Sequence, residues 1–212
     1  MYSRVHKTVP AMMLRMGHHD FCKKFRGGYY ADAQFIEDYK VEFMKQEGSY
    51  SILIWNPIQP CVNIVIFEGD PTASLVWVGY DPKCTIQGNM PRGTGTQKML
   101  NFAFRLAKQH GATQIELTDD AKIDCDGKKI DLSPMYFLQH GSTWYESKFG
   151  FQPREEYAED YAEMKKNWKT LDTAFLKQQT CDYFTKQNVR PLLSHINGDR
   201  DVFYRMSWVK RL

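Results

Sequence analysis

The sequence predicts an α/β fold, a mixed and mainly antiparallel sheet flanked by helices. Three observations carry that expectation. Residues 37–80 hold four β-rich runs joined by short turns, residues 97–110 repeat apolar side chains at helical spacing, and a β-branched run at 113–118 follows a glycine that stops the helix. In the first run Tyr39, Val41 and Phe43 alternate with polar neighbours, and Glu47-Gly48 marks a turn. The second, SYSILIW, stops at Asn56-Pro57; the third is CVNIVIFEG; Asp70-Pro71 then turns the chain into ASLVWVGY. Short turns make these an antiparallel meander, and near-continuous apolar runs in the later strands require cover on both faces.

The helix supplies one cover. Leu100, Phe104 and Ala107 recur at i, i+4 and i+7, with Ala103 and Leu106 widening the stripe, while Lys98, Arg105, Lys108 and Gln109 fall mostly elsewhere. Gly111 ends it, and Thr113, Ile115 and Leu117 alternate as a strand that can join the sheet edge. Residues 119–142 are polar and irregular, with an Asp-Gly hairpin turn at 126–127 and solvated Lys128 and Lys129. Their aspartates do not form a calcium loop. Counted from Asp120, position 12 is Asp131 and Gly127 falls at position 8. Beyond Pro153, Tyr157, Tyr161, Met164, Trp168, Leu171 and Phe175 form a narrow apolar seam, which predicts one helix of about six turns. That seam packs along its own domain or forms a homodimer contact. Arg190-Pro191 and a turn at Asn197-Gly198-Asp199 precede VFYRMSWV, whose alternation predicts a final strand.

At 212 residues with 42% hydrophobic and 25% charged content, the chain can bury a sizeable core. The predicted organisation is a basic arm over residues 1–34, a core over 35–153 and a C-terminal helix and strand over 154–212. The net charge of +3 is uneven: Arg4, Lys7, Arg15, Lys23, Lys24 and Arg26 face only Asp20 in the first thirty residues. Nucleic acid and a merely solvated or docked extension both fit such an arm. Phe25, Tyr29 and Tyr30 supply aromatics there, but no RNA-recognition signature accompanies them. His18-His19 has no carboxylate or cysteine at a ligand spacing, so no metal is expected. Five cysteines, Cys22, Cys61, Cys84, Cys125 and Cys181, are odd in number and lack a C-x-x-C pair, which argues against a disulfide framework and for a reducing, cytoplasmic setting. No apolar run reaches the roughly eighteen residues of a membrane span.

Chemistry concentrates around Arg92-Gly93-Thr94-Gly95-Thr96-Gln97, where two glycines and two small threonines let backbone N–H groups converge on one point at a helix N-terminus. The motif has no Gly-Lys-Ser/Thr closure and no third glycine, so it is neither a P-loop nor a dinucleotide fingerprint. Asp119 or Asp120, at the end of a strand, is a candidate general base.

The Arg-Gly-x-Gly loop and helix, the strand after it, and the later stretch TWYESKFGF at 143–151 together resemble the GCN5-related N-acetyltransferase superfamily over roughly residues 35 to 151. The resemblance implies that acetyl-CoA is co-substrate, that Arg92 and the amides of Gly93, Thr94, Gly95, Thr96 and Gln97 hold its pyrophosphate, and that its pantetheine arm lies between two splayed strands. It also implies that Tyr145 protonates the departing thiolate, with Asp119 as base for an amine acceptor that no spacing identifies. Trp144, with more apolar area, is expected in the core, and Tyr145 toward the ligand. Three departures favour a non-catalytic binding or structural protein on the same fold: Gln97 where the family has glycine or alanine, one extra residue between Tyr145 and Gly150, and the eleven-residue insert DPKCTIQGNMP before Arg92.

Overall fold

A computed structural model describes residues 31–36, 39–46, 48–55, 60–78, 94–197 and 200–212. The chain is α/β, with a mainly antiparallel mixed sheet and helices flanking it. It divides into two compact units, one drawn from Met1–Glu116 with Arg211–Leu212, the other Leu117–Lys210. Residues 1–30 of the basic arm, His18-His19 among them, and the insert before Arg92 lie outside the described residues.

In the first unit β1 (Ala31–Ile36), β2 (Tyr39–Gln46), β3 (Ser49–Trp55), β4 (Pro60–Phe67) and β5 (Thr72–Val78) form an antiparallel meander. The four later strands fall where alternation and turn residues put them. β1 begins at Ala31, inside the stretch read as part of the arm. Val41, Ile52, Ile54, Val62 and Ile64 on one face and Ser51, Cys61 and Val65 on the other are fully buried, which is the two-sided cover that the unbroken apolar runs required. Helix α1 (Thr94–Gln109) supplies it on one side: Leu100, Ala103, Phe104, Leu106 and Ala107 are buried while Lys98, Arg105, Lys108 and Gln109 are exposed. Phe102, outside the stripe read from the sequence, stacks on Tyr39 with centroids 4.4 Å apart.

The crossover through α1 returns as β6 (Gln114–Thr118), parallel to β5. Its register is fixed at the start. Thr113 N–H donates to Pro71 O at 2.8 Å, and Gln114 Nε2 donates to Thr72 Oγ1 at 2.8 Å. Asp70 caps the preceding turn by accepting from Thr72 N–H at 2.7 Å.

In the second unit β7 (Lys122–Cys125) and β8 (Lys128–Asp131) make the expected hairpin. Asp126 and Gly127 have φ of 50° and 81°, the paired left-handed conformations that suit strand twist in a two-residue turn. Then follow α2 (Leu132–His140), α3 (Trp144–Phe149), β9 (Gln152–Pro153), α4 (Ala158–Trp168), α5 (Thr173–Gln178), α6 (Lys186–Asn197), α7 (Arg200–Arg205) and β10 (Ser207–Arg211), which pairs antiparallel with β9. Helix α2 ends at Gly141, whose φ is 72° and whose added Cβ would lie 2.7 Å from the Trp168 ring. Only glycine fits there.

Four expectations are corrected here. The seam at 157–175 is not one helix: α4 stops at Trp168, and Asp172 starts α5 by accepting from Phe175 N–H at 2.9 Å. Tyr161 and Met164 are buried but Phe175 is 45% exposed, so the continuous face that a homodimer contact called for is absent. Pro191 lies inside α6, where its missing N–H sacrifices one helical bond while Val189, Leu193 and Ile196 on the same helix are buried. The stretch VFYRMSWV splits, with Val202–Arg205 helical and the strand beginning at Ser207. Lastly, Cys125 and Cys181 are disulfide-bonded, their Cα atoms 5.9 Å apart, and Cys61 is bonded to a partner outside the described residues. Cysteines 56 residues apart carry no pairing signal in sequence.

The Cys125–Cys181 bond joins the end of β7 to the short turn of helix at Cys181–Tyr183. By loop-closure entropy it should stabilise the fold by about 4 kcal/mol. In urea titrations the Cys125→Ser/Cys181→Ser protein is expected to lose about that much relative to the oxidised wild type. Equal stability of the two would show that the bond constrains nothing.

Candidate active site

The predicted ligand loop is described only in part. Arg92 and Gly93 lie outside the described residues, and α1 begins at Thr94. The N–H groups of Thr94, Gly95, Thr96 and Gln97 therefore belong to the first helical turn, where no intrahelical acceptor exists for them. Gly95 is buried, Thr96 and Gln97 are half-buried, and no acidic residue occupies that turn. The positive end of the helix dipole is thus left without a neutralising side chain of its own.

Next to this loop in sequence, β5 has an unusual edge. Its parallel ladder with β6 covers only Thr72, Ala73 and Ser74, against Gln114, Ile115 and Glu116. Yet β5 runs on through Leu75–Val78. No described strand within the first unit pairs with that edge of the segment, so main-chain polar groups there are turned toward a gap in the ladder. On its other edge the same segment is bulged: Ile64 pairs with Leu75 and Asn63 with Trp77, leaving Val76 as an extra residue.

The second unit holds the two predicted catalytic residues. Asp119 follows β6, and of the two candidate carboxylates it is the more enclosed, half-buried as a residue; Asp120 is exposed. Asp119 Oδ1 accepts from Ala121 N–H at 3.1 Å, a local turn that draws the side chain inward. Its Oδ2 is inaccessible and has no hydrogen-bond partner. Burial pushes the carboxyl up to about 6, and the nearby charges of Asp120 and Asp131 add to that; the Ala121 N–H and the Ser133 hydroxyl oppose it. Ser133, in the first turn of α2, is 2% exposed, and its Oγ is likewise inaccessible without a partner of good geometry. Two neighbouring buried oxygen atoms without a hydrogen bond of good geometry are uncommon.

Tyr145 belongs to the same neighbourhood. Burial raises its phenol well above the usual tyrosine range, and the Asp119 carboxylate raises it further. Its ring meets Trp144, Phe149 and Phe151 at 5.1, 6.1 and 5.7 Å, and its hydroxyl bonds to no described residue. The expected division between neighbours is reversed: Tyr145 is 6% exposed, while Trp144 is half-buried. Helix α3 is only one and a half turns long, and Thr143 and Gly150 fix its two ends, so Tyr145 and Phe149 share the inward face at i and i+4. Larger apolar area did not decide the matter.

Sequence reasoning missed Ser133. Asp131-Leu132-Ser133-Pro134 is a helix start, with proline in the first turn, but the acidic, lysine-rich residues before it concealed the element. It also missed a satisfied cluster that holds α3 on α4. Glu146 accepts from Tyr161 OH and Lys165 Nζ, both at 2.6 Å, while Thr143 Oγ1 accepts from Glu146 N–H at 3.3 Å. Every polar atom has work there, so this cluster reads as structural.

Among the described residues no group of three or more His, Cys, Asp or Glu side chains could hold a metal, and no helix is long and apolar enough to cross a membrane. What fold and site define is an α/β protein with a mainly antiparallel mixed sheet, a helix start without an acidic residue in its first turn and a buried acid–hydroxyl–phenol group. Comparison with protein-family models, with curated proteins and with solved structures finds no match.

The Asp119 environment has a measurable consequence. Its pKa is higher folded, at about 6, than the unfolded value of 3.8, so between those values the native state holds a proton that the unfolded chain has lost. Stability must therefore fall as pH rises through that window, by on the order of 3 kcal/mol in all. The Asp119→Asn protein is expected to lack this fall and to melt higher than wild type at pH 7. Parallel Tm curves for the two proteins between pH 4 and 7 would contradict the assignment.

Proposed function

We propose that the chain is an acyl-CoA-dependent N-acyltransferase, moving an acetyl group from acetyl-CoA to an amine by direct attack. The observation that carries this reading is the parallel β5/β6 ladder that closes after three residues while β5 continues. It supports the opened strand edge that the acetyltransferase resemblance implies for the pantetheine arm. An extended amide-bearing chain can hydrogen-bond to such an edge as a strand would. The N–H groups of Thr94 to Gln97, in the first turn of α1, support a pyrophosphate at the start of that helix, with Arg92 adding charge.

In the reaction the amine nitrogen attacks the thioester carbon, the C–S bond breaks, and the nitrogen loses a proton. Asp119 is assigned as the group that takes it, being largely ionised at pH 7 with a proton affinity tuned toward neutrality. Tyr145 is assigned to the departing sulfur. Its raised pKa makes full proton transfer to a thiolate, whose conjugate acid has a pKa of about 8.5, unfavourable. The phenol would thus stabilise sulfur by donating a hydrogen bond, and the proton would come from solvent.

A second reading, a non-catalytic protein on this fold, is favoured by one observation: Tyr145 sits among aromatic rings like a core residue. The third, nucleic-acid binding, rests on residues outside the described ones. Calorimetry and thermal melts with CoA separate these. CoA at a hundredfold excess over its Kd should raise stability by about 2.7 kcal/mol, and Gly95→Val should abolish that gain. Tyr145→Phe should lower turnover roughly ten- to ten-thousand-fold with CoA affinity kept. No melting shift at millimolar CoA would remove the enzyme reading; a CoA shift with undiminished Tyr145→Phe turnover would remove only the role of Tyr145.

A further inference from the structure

The β7–β8 hairpin separates two groups of the candidate site along the chain: Asp119 lies just before it and Ser133 just after it. A relay of hydrogen bonds ties them to its base. Asp119 Oδ1 accepts from Ala121 N–H at 3.1 Å, and Ala121 O accepts from Leu132 N–H at 2.8 Å, one residue before Ser133. The setting of the carboxyl thus depends on where the hairpin sits. By itself the hairpin is weakly held, because two strands of four residues are marginal in water. Register sorts its side chains. The pairs Lys122–Asp131 and Asp124–Lys129, each 3.5 Å apart, share one face, where mostly exposed ion pairs contribute little. The other face carries Ile123 and Ile130, with Cys125 opposite Lys128. Ile130 and Cys125 are buried and Ile123 half-buried.

One of those three anchors is the sulfur bonded to Cys181. The segment holding Cys181 is fixed independently of the hairpin: Gln139 Nε2 of α2 donates to Gln179 O at 2.9 Å, and Asn188 Nδ2 donates to Tyr183 O at 2.7 Å. The disulfide therefore closes a ring, which runs from the hairpin base along α2 to Gln139, across to Gln179 and back through the two sulfurs. With the bond open, the hairpin is left hinged at its base.

We infer that the Cys125–Cys181 bond is a redox-sensitive clamp on Asp119: closed, it holds the hairpin on α2 and keeps the carboxyl dry, and opened by a dithiol it admits water. Cys125 is 3% exposed while Cys181 is half-buried, so an incoming thiolate meets the Cys181 sulfur. It bonds to that sulfur, the Cys125–Cys181 bond breaks, and Cys125 leaves as a thiolate opposite Lys128. The second thiol of the reductant then displaces Cys181, so that two electrons and two protons pass from dithiol to disulfide. Burial is the chief cause of the raised proton affinity of Asp119, and the charges of Asp120 and of Asp131, which moves with the hairpin beside Lys122, add to it. Loss of the Ala121 N–H and the Ser133 hydroxyl acts the other way but is the smaller effect, so opening the clamp lowers that affinity. Tyr145, on α3, stays neutral throughout. The clamp stands whatever reaction the carboxyl serves.

The test is a carboxyl carbon NMR titration of the full chain, with the Asp119 signal assigned by its loss in Asp119→Asn. In the oxidised wild type Asp119 should titrate near pH 6. In Cys125→Ser/Cys181→Ser, with sucrose added to hold the variant folded, its proton affinity should fall about tenfold or more, toward the ordinary value of 3.8. Wild type kept in excess dithiothreitol should titrate like the variant, and dithiothreitol should not move the variant further. An unchanged midpoint in the variant, or a variant that cannot fold even in sucrose, would make the bond a plain staple and overturn the clamp. A wild-type bond that dithiothreitol opens only after unfolding in urea would overturn it too, and a further shift of the variant in dithiothreitol would move the effect to the bond at Cys61.

Discussion

Parallel pairing of β5 and β6 is the constraint on which the first unit depends. Parallel neighbours cannot be joined by a tight turn, so the chain must leave the sheet after Val78, cross it and return. Helix α1 is that crossing, and its apolar stripe covers the inner face of the meander. The pair is anchored at one end only, through Pro71, Thr72, Thr113 and Gln114. Backbone hydrogen bonds beyond Ser74 are consequently not made between these strands, an omission that a purely structural sheet would avoid.

The second unit sets two polar groups side by side that follow opposite logic. Around Glu146, charge and donors are matched: Lys165 and Tyr161 satisfy the carboxylate, and the interaction docks one helix on another. Around Asp119 they are not. One oxygen is held by Ala121, the other lacks a hydrogen bond of good geometry, and the burial that raises its proton affinity is only partly offset by the Ala121 N–H and the Ser133 hydroxyl. Matched clusters stabilise, while an unmatched one persists because something besides stability retains it.

Much of the first unit was legible because its signals are local and repeated. Alternation fixed the strands, punctuation by Gly48, Asp70 and Pro71 fixed their turns, and the stripe from Leu100 to Ala107 fixed both the existence and the inward face of α1. The bulge at Val76 was invisible, since it depends on which residue of β4 stands opposite. In the second unit local signals misled. The seam from Tyr157 to Phe175 keeps its period across a break that Asp172 imposes by capping a new helix. Of the candidate site, Asp119 was singled out by its position at a strand end, and it does follow β6. The orientation of Tyr145 was misjudged because helix termini at Thr143 and Gly150, rather than side-chain size, set which face turns inward.

The link between α4 and α5 bears on how the second unit comes apart. Lys169, Thr170 and Asp172 are exposed, so a protease that favours basic residues has ready access after Lys169. The Cys125–Cys181 bond spans that link. A nick there therefore releases no fragment: both pieces stay covalently tethered, and Trp168 can keep its indole bond to Leu138 O at 2.8 Å. The cut chain would migrate as one species until reduced and as two afterwards, a loss of chain continuity without a loss of mass.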